Sequence, residues 1–140
     1  MTGPGDGNAD GQTLTVLADE YTVHRFEPGA AVPEQLHGET FYAVLRSSAE
    51  LSVCCRSTLP LPSARAESGW RCLMVEGPLD FALTGIVSAI TAPLADHGIA
   101  VFVISSFDTD YVLIKDDRLQ RAVEVLAGQG MQIRFPGNQT

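Results

Sequence analysis

The sequence is short of positive charge. Nine Lys and Arg residues stand against 17 Asp and Glu, giving a net charge of -8, and the basic residues are scattered singly. Because binding to a phosphate backbone needs a basic face, this pattern excludes nucleic acid as a partner. An acidic surface of this kind suits a cationic or zwitterionic small ligand better.

The sequence also lacks a long apolar run. The opening "MTGPGDGNADGQ" is polar and Gly-rich, without the basic start and apolar stretch of a signal peptide. No stretch is long and apolar enough for a membrane span, so we expect no membrane partner. Residues 1–12 and 137–140 are predicted to be tails, the first of them flexible.

Cysteine is scarce and its spacing is uninformative for metal binding. The three cysteines, Cys54, Cys55 and Cys72, are an odd number, and two neighbours in a strand point to opposite faces. This is not the pattern of a disulfide framework or a zinc site. We expect three small, buried, reduced side chains in a cytoplasmic protein.

Signals of catalysis and of cofactor binding are missing as well. The sequence contains no Walker-type loop and no G-x-G-x-x-G, and its three histidines have no ligand-spaced partners. A calcium loop fails too, because the residues that follow Asp108 and Asp110 at the ligand spacing include Val112 and Leu113. No cofactor, metal or catalytic residue is predicted, and we expect the protein not to be an enzyme.

What is present begins with strands. "LTVL" and "YTVHRF" are predicted as two strands around an "ADE" turn, and "TFYAVLRS" and "ELSVCCRS" as two more. Residues 13–57 therefore form a strand-rich N-terminal unit. The segment 58–68 contains two prolines and no periodicity, which is typical of a linker.

After the linker the pattern becomes β-α-β-β-α-β. Leu83, Ile86, Ile90 and Leu94 recur at helical spacing, and a second helical stripe follows, which we expect either Asp116 or Asp117 to start. Two strong strands lie between the helices. This order predicts an α+β, ferredoxin-like unit at residues 69–136, with both helices on one face of an antiparallel sheet.

The segments "GPLDFALTG", "HGIAVFVIS" and "FDTDYVLIK" closely resemble the small ACT-domain proteins. They are similar in particular to the tandem-ACT group that includes the arginine sensors of the TOR pathway and the regulatory half of aspartate kinases. The N-terminal half resembles a reduced ACT unit that has kept its strands and lost its long helices. The resemblance implies amino-acid sensing without chemistry, with the ligand held where two ACT units meet. A homodimer or a regulatory partner protein is expected with it.

One half of the candidate site is the passage from strand to helix in "GPLDFALTG". The start of a helix presents unpaired backbone N–H groups and a positive dipole end, which together bind a carboxylate. Asp80 stands where an N-cap residue would, so capping is the alternative to ligand contact. The candidate ligand-binding residues here are Gly77, Pro78, Leu79, Asp80, Phe81, Thr84 and Gly85.

The other half is the turn between two strands. Hydroxyls and carboxylates at one strand end could hold an α-amino group or a cationic side chain. The alternative is a solvated hairpin turn, since Asp and Thr favour turns by bonding the local backbone. The candidate residues here are Ser105, Ser106, Phe107, Asp108, Thr109 and Asp110.

The predicted function is non-enzymatic amino-acid binding in a sensor or regulatory protein. Arginine or lysine is favoured by the acidic balance and by the resemblance, and small aliphatic amino acids stay open. One alternative is an ACT-fold interaction or oligomerisation module without a small ligand. The other is a small enzyme on the same scaffold, for which the sequence offers no titratable pair.

Overall fold

The computed structural model describes residues 11–77 and 85–136, which form an α+β fold of seven strands and two α-helices. None of the helices in these described ranges is long and apolar enough to cross a membrane. The strands are β1 (Thr13–Phe26), β2 (Tyr42–Arg46), β3 (Leu51–Arg56), β4 (Arg65–Val75), β5 (Phe102–Ser105), β6 (Asp110–Lys115) and β7 (Gln132–Arg134). The helices are α1 (Ile86–Asp96) and α2 (Leu119–Gly128).

The chain divides into two compact units. Unit 2 is the continuous segment Asp19–Trp70, and unit 1 combines the chain up to Ala18 with the chain from Arg71 onward. Unit 2 is therefore inserted into the chain of unit 1. This differs from the predicted division, because residues 13–18 fall in the same unit as the C-terminal half.

Unit 1 has the predicted βαββαβ order, which runs through β4, α1, β5, β6, α2 and β7. The start of β1 is added to this sheet, where it pairs in parallel with β7 and places Leu14 opposite Ile133. The strand order is β7-β1-β4-β6-β5. Alternate strand residues and one face of each helix form the core, as the period-two and helical spacings predict. Its buried members are Leu14, Val16, Leu73, Val75, Ile86, Ile90, Leu94, Ile99, Val112, Ile114, Leu119, Ala122, Val125, Leu126 and Met131.

Unit 2 is built of strands, in which β2, β3 and the second part of β1 pair antiparallel in the order β2-β3-β1, and the start of β4 also belongs to it. Its helical content is a 3-10 helix at Glu34–Gly38, whose Leu36 is buried. The core is small and consists of Leu36, Leu51, Val53 and Cys55, with Phe26, Ala30, Leu59 and Leu61 packed against it. The prediction of a strand-rich half without long helices is confirmed.

Three local predictions are wrong. The two N-terminal strands are one strand, β1: residues 18–20 are exposed, yet the backbone stays extended and Glu20 accepts a hydrogen bond from the Ser57 N–H at 2.8 Å. The polar "ADE" has the composition of a turn, but this bond holds it in the strand. Strand β4 begins at Arg65, inside the predicted linker. Helix α2 follows a 3-10 turn at Asp116–Arg118, and neither aspartate caps it, since its N-cap is Arg118.

The cysteines are buried free thiols, as predicted. Burial raises the pKa of Cys54 to about 12. Burial, with the Glu39 carboxylate as a second cause, raises the pKa of Cys55 to about 11. Neither thiol is therefore ionised near neutral pH, so both behave as small apolar side chains.

Candidate functional site

The segment "SSFDTD" forms the turn of the β5–β6 hairpin in unit 1. Ser105 pairs with Asp110 in the register of the two strands. At the tip, the Ser106 N–H donates to the Thr109 carbonyl at 2.8 Å, and the Ser106 hydroxyl bonds the same carbonyl at 3.1 Å. The hairpin turn expected from Asp and Thr is therefore present, with Ser106 supplying the local side-chain bond.

The two aspartates of this turn differ in their surroundings. The Ser105 hydroxyl donates a short hydrogen bond to the Asp110 carboxylate, which ties the two strands together. Asp108 is exposed at the tip, and within residues 11–77 and 85–136 its side chain has no hydrogen bond or ion pair. Phe107 beside it is 78% exposed. Of the two carboxylates, Asp108 is the more exposed.

Thr109 anchors the hairpin tip to the sheet. Its side chain is buried, and its hydroxyl donates to the Val75 carbonyl at 2.6 Å. Val75 is the last residue of β4, so the bond holds the tip beside the point where the chain leaves the sheet at Glu76 and Gly77. The described contact is thus between the hairpin tip and the end of β4.

The connection between β4 and α1 is described only at its two ends, up to Gly77 and from Gly85 onward. Gly77 is exposed after β4, and Gly85 is the N-cap of α1 with φ of 82°. Because a positive φ strains residues with a Cβ atom, glycine suits this position. The Gly85 carbonyl accepts the Ala89 N–H at 2.8 Å, which begins the helix. Pro78, Leu79, Asp80, Phe81 and Thr84 lie outside the described residues.

Two contributors at this end of the sheet were missed from the sequence. Val75 acts through its backbone carbonyl, for which no sequence signal exists. Glu76 is a half-buried carboxylate at the end of β4, and its Oε2 accepts the Thr15 hydroxyl at 3.2 Å. The sequence position of Glu76, directly before Gly77, could have indicated it, because a carboxylate at the end of the strand lies beside the predicted site.

The described residues contain no group of three or more His, Cys, Asp or Glu side chains that could hold a metal ion. A separate groove of about 530 Å³ lies along α2. It is lined by Asp116, Leu119, Gln120, Val123, Glu124 and Phe135. None of these residues belongs to the predicted site.

The fold agrees with a comparison against protein families. Residues 65–128 match the family model of the ACT domain. The matched range takes in β4, both ends of the strand-to-helix connection, and the β5–β6 hairpin. This segment, which is just under half of the chain, is similar to the ACT domain.

Among characterised relatives, the chain is similar to the cytosolic arginine sensor for mTORC1 subunit 1 of Homo sapiens and of Bos taurus. Each is 39% identical over 71 residues, which is 50% of this chain and 21% of the relative. The chain therefore spans about a fifth of the length of these relatives.

Two solved structures extend the likeness across both units. A protein of Agrobacterium tumefaciens is 30% identical with a TM-score of 0.85, covering 94% of this chain and 98% of that chain. The regulatory subunit of aspartate kinase from Thermus thermophilus is 8% identical with a TM-score of 0.56, covering 83% and 96%. At that identity the second likeness shows the fold alone.

Proposed function

We propose that this protein is a non-enzymatic, amino-acid-binding regulatory module. The ligand is held at the end of the unit 1 sheet, between the strand-to-helix connection and the β5–β6 hairpin. A second ACT unit closes over it. The backbone N–H groups at the start of α1 take the α-carboxylate, and the hairpin tip takes the amino group or a cationic side chain.

The observation that carries the proposal is the buried bond between the Thr109 hydroxyl and the Val75 carbonyl. It fixes the hairpin tip, which carries an exposed carboxylate, beside the end of β4, after which the chain leads to α1. A carboxylate and the N–H groups of a helix start are the partners that the two charged groups of a free amino acid need.

The charge of the site favours a cationic amino acid. Asp108 is exposed and unpaired among the described residues, and Glu76 adds a second carboxylate at the end of β4. A ligand with an ammonium or guanidinium group in addition to its α-amino group would use both. The relative that is 39% identical is an arginine sensor by name, so arginine is the first ligand to test and lysine the second.

Regulation follows from differential binding. A ligand changes a conformational or association equilibrium only if it binds one state more tightly than the other. A site shared between two ACT units meets this condition, because the ligand binds only the state in which the units enclose it. We expect binding to change unit docking or self-association rather than to start a reaction.

The test is a thermal-unfolding screen of the full chain against the twenty amino acids at millimolar concentration. A ligand at about a hundred times its dissociation constant adds roughly 2.7 kcal/mol to the stability of the folded state. For a chain of this size that raises the unfolding midpoint by several degrees. We expect arginine or lysine to give the largest shift.

Matched variants separate the site from general charge effects. Asp108→Asn should abolish most of the shift, whereas Asp117→Asn, which removes one exposed carboxylate elsewhere in unit 1, should leave it unchanged. A flat response to all twenty amino acids would contradict the proposal. It would favour the alternative of an ACT-fold interaction module without a small ligand.

A further inference from the structure

Strand β2 of unit 2 exposes an apolar edge. It stands at one end of the strand order, where β3 is its neighbour. Tyr42 is 42% exposed, Val44 37% and Leu45 64%. Exposed edge strands are usually protected by proline, lysine or a bulge, because their free backbone groups pair with other chains. The sequence of β2, YAVLR, contains neither proline nor lysine.

The register shows which backbone groups are free. The Ser47 N–H donates to the Glu50 carbonyl at 2.9 Å in the turn between β2 and β3, which makes Ser47 and Glu50 a hydrogen-bonded pair. Hydrogen-bonded and non-bonded pairs alternate along an antiparallel ladder. Tyr42, Val44 and Arg46 therefore belong to non-bonded pairs. Their N–H and C=O groups point away from β3, toward the open edge.

We propose that this edge pairs with β2 of a second copy of the chain, antiparallel and centred on Val44. In this register Val44 faces Val44 of the other copy, and Tyr42 faces Arg46 in both directions. Tyr42, Val44 and Arg46 then all fall in hydrogen-bonded pairs between the two copies. In each such pair, the two facing residues donate to and accept from each other through their backbone N–H and C=O groups. No other antiparallel register of this strand with itself uses all of them.

The side chains fit the same register. Leu45, the most exposed residue of the strand, faces the small Ala43 in a non-bonded pair, where side chains approach most closely. The two Arg46 residues stand at opposite ends of the paired strands. Each guanidinium is already held by the Pro28 and Ala30 carbonyls of its own chain. A parallel arrangement would instead set Arg46 against Arg46, so charge favours the antiparallel pair.

Strand β5, another edge strand, is a weaker candidate. Strand β5 closes the opposite end of the strand order, but Val103 is its one large apolar residue among the exposed ones. In the β5–β6 hairpin, Ser106 and Thr109 form a hydrogen-bonded pair. Because bonded and non-bonded pairs alternate, Val103 and Ser105 are the β5 residues whose N–H and C=O groups point away from β6. Ser105 also uses its hydroxyl on Asp110. The proposal for β2 is independent of the amino-acid site, which unit 1 carries.

The test combines charge exchange with cross-linking on the full chain. The mass of the unaltered protein, measured by sedimentation over about a hundredfold range of concentration, should show a reversible dimer. Val44→Glu and Val44→Lys each place like charges opposite one another, and each should weaken dimerisation about a hundredfold or more. Mixing the two variants should restore a dimer, because only this register sets residue 44 against itself.

Cross-linking checks the register. Facing Cα atoms in a hydrogen-bonded pair lie about 5.5 Å apart, within disulfide range. Val44→Cys should therefore form a disulfide-linked dimer on mild oxidation. Leu45→Cys, which faces Ala43, should not, and neither should the unaltered chain, whose three thiols are buried. A monomer at all concentrations, a dimer indifferent to the charge at residue 44, or no cross-link in Val44→Cys would each overturn the proposal.

Discussion

Replacing Thr109 by valine tests the contact that joins the hairpin to the rest of the site. Valine keeps the shape of threonine and removes the hydroxyl that donates to the Val75 carbonyl at 2.6 Å. Thr109 is 8% exposed, so water does not readily replace the lost bond. The hairpin tip should then lose its side-chain bond to the end of β4.

The expected cost is modest and measurable. A buried hydrogen bond contributes about 1 kcal/mol net, and leaving its partner without a donor raises the cost to about 1–3 kcal/mol. The added methyl group of valine recovers up to about 0.8 kcal/mol by burial. We expect Thr109→Val to lower the free energy of unfolding by about 1–2 kcal/mol. For a chain of this length that is a fall of about 3–7 °C in the unfolding midpoint.

Calorimetry and urea unfolding of Thr109→Val and Thr109→Ser give the decisive comparison. Serine keeps the hydroxyl and loses a methyl group, so Thr109→Ser should be the more stable of the two if the bond matters. Thr109→Val should also reduce the thermal shift produced by the amino-acid ligand. If Thr109→Ser is the less stable variant, methyl packing anchors the tip and the reasoning about the bond is refuted.

Two further predictions concern unit 2. Arg56→Met should lower the unfolding midpoint by clearly more than Arg121→Met. The Glu39 side chain is 6% exposed and pairs with Arg56 at 2.7 Å, so the substitution leaves a buried carboxylate without its partner, whereas Arg121 pairs with an exposed glutamate. Equal shifts of the midpoint in calorimetry would contradict this prediction. His24 is buried, its Nδ1 bonds the Ser63 hydroxyl at 2.7 Å, and burial lowers its pKa from 6.5. Since the unfolded chain then binds the proton more tightly, stability should be constant above about pH 6.5 and fall as the pH drops below it. The urea midpoint of unfolding, measured from pH 8 to pH 5, should fall less in His24→Gln than in the unaltered protein. An equal fall in both proteins would show that His24 is not the cause of the pH dependence.

The part of the fold that local pattern determines was predictable. Both helices follow from spacing, because each buries one face, and both strands of the β5–β6 hairpin follow from their runs of β-branched and aromatic residues. The aspartates before α2 show where a local rule misled. Asp116 and Asp117 have the composition of a helix start, but a 3-10 turn intervenes and Asp116 pairs with Arg71, 45 residues away, at 3.3 Å. That partner comes from β4, so no local rule contains it.

The insertion of unit 2 into unit 1 was not predictable from such rules. Strand β1 looks interrupted because residues 18–20 are exposed and two of them, Asp19 and Glu20, are charged. The strand continues through them because its backbone partners lie far along the chain: Ser57 for Glu20, and β7 for Thr13–Thr15. Amino-acid composition indicates which side chains are exposed, whereas the length of a strand also depends on backbone hydrogen bonds to segments far away in the sequence.

The aspartates of the hairpin illustrate the same limit at the scale of a single site. Asp108 and Asp110 are one residue apart, and from sequence alone they are equivalent candidates for binding a ligand amine. The strand register places Asp110 opposite Ser105, whose hydroxyl it accepts, and leaves Asp108 at the exposed tip. A one-residue shift of the register would set Thr109 opposite Ser105, and a two-residue shift would set Asp108 there. Thr109 is held on the side of β4, by the buried bond from its hydroxyl to the Val75 carbonyl. The difference between the two acids is therefore set by strand register, which the local sequence does not contain.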